Sequence, residues 1–107
     1  MDPQLVHFEG EAVIRLPADA HQPAQIELVA GRDRYSVGGA ITEGPRWWHG
    51  HIEWADGALL DLHLTGSEIA VELSNGRLAI AIVEHTSASP RPTSTIRGLG
   101  PPPFEVP

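Results

Sequence analysis

From Val6 to Leu16 the side chains alternate. Val6, Phe8, Gly10, Ala12, Ile14 and Leu16 take one parity, and His7, Glu9, Glu11, Val13 and Arg15 the other. A period of two marks a half-buried strand, because successive side chains leave opposite faces of a pleated chain. The period recurs along most of the chain and no helical period competes with it. After a loop over Pro17 to Pro23, a second strand is expected from about Ala24 to Arg32, with Ile26, Leu28 and Ala30 on one face and Gln25, Glu27 and Val29 on the other. A hairpin pairing Ile14 with Ile26 and Ala12 with Leu28 matches the apolar faces.

Three turns organise the middle of the chain. Asn75-Gly76 fits a type I′ turn, which needs positive φ twice. It sets Leu73 opposite Leu78, Val71 opposite Ile80 and Ile69 opposite Ile82. Gly66-Ser67 fits a type II′ turn and sets Leu64 opposite Ile69, Leu62 opposite Val71 and Leu60 opposite Leu73. Ala55-Asp56-Gly57 fits a three-residue loop ending in a left-handed Gly. It sets Trp54 opposite Ala58, Ile52 opposite Leu60, Gly50 opposite Leu62 and Trp48 opposite Leu64. All three turns preserve one apolar face, which predicts a four-stranded meander with Leu62 between Gly50 and Val71.

The remainder is less regular. Asp33 to Pro45 reads mainly as a long excursion, with a short strand around Tyr35 to Ile41. Ser87 to Thr95 is a Pro- and Ser-rich connection before a last strand over Thr95 to Leu99. Pro101 to Pro103 must be extended. The expectation is an all-β chain, one domain over residues 1–107, folded as a small antiparallel β-barrel of about seven to eight strands, with a sandwich as second choice.

Composition removes several function classes. Fourteen Asp and Glu stand against seven Arg and no Lys, a formal net charge of −7. Such a chain is a poor partner for nucleic-acid phosphates or anionic lipid, so neither nucleic acid nor membrane is expected as a partner. The absence of Cys removes disulfides and thiolate metal sites. The opening Met1-Asp2-Pro3-Gln4 has no basic stretch and no apolar run of signal length, so a cytoplasmic location is expected.

Three stretches carry a resemblance: Phe8-Glu9-Gly10-Glu11-Ala12, Trp48-x-Gly50-x-Ile52, and the ending Gly98-Leu99-Gly100-Pro101-Pro102-Pro103-Phe104. Through these the chain resembles a family of unknown function found as the C-terminal domain of actinobacterial flavin-containing monooxygenases and as stand-alone small proteins. The resemblance implies a small β-barrel and a monooxygenase partner, and it supplies no catalytic residues. Family members usually carry aromatic or Arg residues where His49 and His51 stand here, which argues against a family metal site.

Four groups of residues are candidates for chemistry. On the outer face the expected pairings set His51 opposite Asp61 and His49 opposite His63, with Glu72 beyond Asp61. That set has the donor types of a divalent metal site, yet a solvated sheet face lacks the fixed outer shell such a site needs, so no metal is expected. Inside the barrel, Gly10, Gly50 and Gly98 either bend strands or leave room for a ligand. In the second case Phe8, Trp48, Gly50, Ile52, Trp54, Leu62 and Ile80 line a substrate pocket. Glu84, on the inward parity at a strand end, is the candidate general acid or base. Tyr35, the only phenol, is placed at the pocket mouth in a lid-like excursion.

The resulting functional expectation is a small-molecule-binding barrel that encloses an apolar metabolite of actinobacterial secondary metabolism. If it is an enzyme, it is expected to be a cofactor-independent cyclase or isomerase that shapes its substrate by enclosure. The alternative is a non-catalytic accessory or assembly module for a flavin-dependent monooxygenase, or a homodimer. A large interior cavity favours the first, and a solid core with an apolar outer patch favours the others.

Overall fold

In the computed structural model, which describes residues 5–55, 64–88 and 91–105, six antiparallel strands close into a barrel with the order β1-β2-β3-β6-β5-β4. They are β1 (Val6–Arg15), β2 (His21–Val37), β3 (Ala40–Trp54), β4 (Glu68–Leu73), β5 (Leu78–Ser87) and β6 (Thr93–Gly98). Two three-stranded meanders, β1-β2-β3 and β4-β5-β6, are sewn together along β1·β4 and β3·β6. Closure gives every strand a neighbour on both sides over at least part of its length, which reduces the exposed edge of so small a domain.

The even parity of β1 and of early β2 faces inward as the alternation predicts: Ala12, Ile14, Ala24, Ile26, Leu28 and Ala30 are buried. The register between these strands differs from the expected one. Ala12 pairs with Ala24, Ile14 with Gln22 and Gly10 with Ile26. The connection is shorter than Pro17–Pro23, because a single 3-10 turn over Pro17–Asp19 reverses the chain and β2 starts at His21.

The four-stranded meander is overturned. Gly50 lies between Leu28 and Ile96, and Val71 between Ile14 and Ala79, so both flanks of each are already taken. The expected partner of both, Leu62, lies with Asp56, Gly57, Ala58, Leu60, Asp61 and His63 outside the described residues. Gly66 (φ 88°) is the third residue of a turn in which Ser67 N–H donates to Leu64 O, not the first central residue of a type II′ hairpin. At Asn75-Gly76 the loop has three residues. Leu73 N–H donates to Arg77 O at 2.9 Å, and Gly76 sits at φ 85°. This one-residue difference inverts β5. Ala79, Ala81 and Val83 point inward, while Leu78, Ile80 and Ile82 point outward.

The excursion over Asp33–Pro45 is a regular two-stranded extension of β2 and β3. Arg34 pairs with Glu43, Tyr35 with Thr42 and Val37 with Ala40 across a turn at Gly38-Gly39 (φ 57° and 83°). It gives the molecule its length, 53 Å against 26 and 24 Å across. It is an arm rather than a lid: its tip residues Tyr35, Val37 and Ile41 are 50%, 66% and 57% exposed.

Mid-strand glycines receive large neighbours. A methyl on Gly98 would overlap the Trp48 indole, and one on Gly50 would overlap Leu28 and the Glu27 carbonyl. On the arm, Trp47 covers Gly31 and Tyr35 covers Gly44. Aromatic side chains lying over cross-strand glycines recover contact area that the missing side chains forgo. The chain end closes one side: Pro103 is buried, Phe104 stacks on Phe8 with centroids 6.1 Å apart, and Arg77 donates to Glu105 at 2.8 Å. The Arg77 guanidinium holds the exposed Glu105 carboxyl below its usual range.

Gly98→Ala is expected to lower stability by about 1–3 kcal/mol in urea denaturation, because the added methyl overpacks the indole. In a Trp48→Leu background the same change is expected to cost much less, and additive losses would refute the contact.

Candidate functional site

Of the residues expected around a pocket, Trp48, Ile52 and Trp54 belong to the buried core. Trp48 and Ile52 are buried, and the Trp48 Nε1–H donates to Gly100 O at 3.1 Å. The volume that Gly50 and Gly98 give up is occupied by Leu28 and Trp48, so these two glycines open no ligand space, whereas a methyl on Gly10 would meet only the Phe8 ring at ordinary contact distance. Trp54 is held in one orientation: its Nε1–H donates to the buried Ser94 Oγ at 2.9 Å, and Ser94 Oγ lies 2.9 Å from Thr86 Oγ1. Phe8 is half-buried against Phe104. Ile80 is 38% exposed on the outer face. Its expected inward position followed from the two-residue turn, and the three-residue loop reverses it.

The two candidate catalytic residues do not face the interior. Glu84 is exposed at a bulge, where Val83 pairs with Ile96 and His85 with Thr95, leaving Glu84 as the extra residue. Tyr35 is half exposed on the arm, its hydroxyl donating weakly to Asp33 Oδ2 at 3.4 Å. No proton-transfer pair with a substrate space is formed between them.

His49 and His51 point outward, as their parity requires. His49 stacks on Trp47 with centroids 5.6 Å apart and planes within 5°. Among the described residues no group of three His, Cys, Asp or Glu is gathered closely enough to hold a metal; Asp61 and His63 lie outside them.

The surface offers three features instead. The first is a trough of about 490 Å³. Its residues form three adjacent rows across β4, β1, β2 and β3. The middle row, Leu73, Ala12, Ala24 and Trp54, sends its side chains to the core. The flanking rows, Glu72, Val13, Pro23 and Ala55 on one side and Ser74, Glu11, Gln25 and Glu53 on the other, point outward and form walls. The trough is therefore an outer groove with a carboxylate-rich rim, although Glu72 is paired with Arg15 and Glu53 with Arg91. The second feature is the arm with its apolar tip. The third is the outward face of β5.

The arm and the β5 face escaped the sequence reading. A signal for the arm was present, since Gly38-Gly39 between Tyr35-x-Val37 and Ala40-x-Thr42 has the composition of a two-residue hairpin turn. No equivalent signal marked β5, because Asn75-Gly76 accommodates either loop length. No family model matches the chain, and no curated protein or solved structure is significantly similar to it. No helix among the described residues is long and apolar enough to cross a membrane.

Ser94→Ala would strip the buried Trp54 Nε1–H of its acceptor. A loss of about 1–3 kcal/mol is expected in urea denaturation, the cost of leaving one buried donor unsatisfied, with a shifted Trp emission. An unchanged melt would mean that the hydrogen bond does not fix the indole.

Proposed function

We propose that this domain is a non-catalytic accessory module that docks its β2–β3 arm into an apolar groove on a partner protein. The observation that carries this reading is the exposure of Tyr35, Val37 and Ile41 towards the tip of a two-stranded ribbon that extends from the barrel. An isolated two-stranded ribbon is marginal in water. This one is braced by the Arg32–Glu43 ion pair and Trp47 over Gly31 near its base, and by Tyr35 over Gly44 midway along it. A ribbon braced in this way presents its apolar tip with little conformational entropy left to lose on binding. The resemblance of the chain suggests the partner, a flavin-dependent monooxygenase. Val37→Asp with Ile41→Asp is expected to abolish co-elution with such an enzyme from the same organism while leaving the thermal melt unchanged. Failure of the unmodified chain to form any complex with that enzyme would sink this reading.

A second reading, binding of an apolar small molecule, is favoured by the trough, whose volume lies in the range of small-ligand sites. A ligand there would lay its apolar body along Val13 and Pro23 and turn hydrogen-bond donors toward Glu11 and Glu53. A cofactor-independent cyclase or isomerase activity would then use these rim carboxylates in place of Glu84 and Tyr35. Val13→Glu is expected to abolish any tryptophan-fluorescence response to apolar polyketide- or terpene-like probes. The absence of a response in the unmodified protein would remove the support for this reading.

A further inference from the structure

The outer face of β4, β5 and β6 carries its side chains in cross-strand rows. One row is Glu68, Ile82 and Arg97, the next is Ala70, Ile80 and Leu99, and the third is Glu72 and Leu78. Leu78, Ile80 and Leu99 are 44%, 38% and 42% exposed, and Ile82 is half-buried beside them. Branched aliphatics thus stand outward on β5 while alanines at 79 and 81 face the core, the reverse of what a strand with a solvated outer face requires.

We infer that this face is the interface of a homodimer whose two-fold axis runs along β5. Rotation about that axis lays β6 of one copy over β4 of the other. Each row then meets itself reversed. Ile80 faces Ile80, Arg97 faces the partner's Glu68, and Leu99 faces the partner's Ala70. Beside Ala70 lies a recess of about 430 Å³ with Leu16, Pro17, Ile69 and Ile80 along it and Arg15 and Glu68 at its sides, which receives the Leu99 side chain. The alternative axis, across the strands, would set Glu68 against the partner's Glu72 and is rejected by charge. Neither Glu68 nor Arg97 makes an ion pair among the described residues, so both are available to the partner. Each copy uses the same patch, as a closed two-fold contact demands, and the two sheets pack with nearly aligned strands. The inference is independent of the arm, which this packing does not use.

Sedimentation velocity over a concentration series tests it. The unmodified chain is expected to dimerise, and Leu99→Glu to remain monomeric with an unchanged circular-dichroism spectrum. Arg97→Glu and Glu68→Arg are each expected to weaken the dimer at least tenfold, equivalent to about 1.4 kcal/mol, and the double variant to recover most of it. Should Leu99→Glu fail to fold, the charge exchange still decides, since both of its positions are exposed. A monomer at every concentration, a dimer that survives Leu99→Glu, or a double variant no better than the singles would each overturn the inference.

Discussion

The contact on which the barrel depends is the Trp48 indole lying across Gly98. Trp48 belongs to β3 and Gly98 to β6, so this overlap sits on one of the two seams that join the meanders. A side chain at position 98 would push the indole out, and a smaller residue at 48 would leave the seam hollow. The same arrangement repeats where Leu28 fills the space above Gly50. Trp48 and Trp54 both point into the six-stranded ring. Across the ring from β3, β4 contributes the large Ile69, Val71 and Leu73, and its neighbour β5 the smaller Ala79, Ala81 and Val83. Small inward residues on β5 and large outward ones are two sides of one packing solution.

This solution explains which parts of the fold were legible in the sequence. The inward parity of β1 and early β2 could be read directly, because each strand carries charge on one face and aliphatic carbon on the other. The all-β class and the closed barrel followed from it. Register could not be read. A Gly at positive φ ends a three-residue loop as readily as a two-residue one, and the difference inverts every later side chain. The aliphatic pattern favoured the wrong choice at Asn75-Gly76, since Leu78, Ile80 and Ile82 look more like core than Ala79 and Ala81. What decides is the loop length, fixed where Leu73 N–H donates to Arg77 O, and the turn residues themselves do not record it.

The candidate site was legible to a smaller degree. Trp48, Ile52 and Trp54 were correctly placed inward, but as filling rather than as walls of a cavity. Tyr35 was correctly attached to an unusual segment, whose regular pairing was hidden by its glycines. Those glycines serve the ribbon: Gly38 and Gly39 make its turn, and Gly31 and Gly44 lie beneath aromatic rings. A segment that looked irregular by composition is ordered because each glycine has either a turn or a ring to account for it.

The two meanders have a consequence for how the chain reaches its fold. Within each half, every strand pairs with the next one along the chain through a short turn, and such local ladders form early. The seams β1·β4 and β3·β6 join residues far apart in sequence and must wait for both halves. The barrel is thus two interlocking pieces whose recognition of one another is written in the seams.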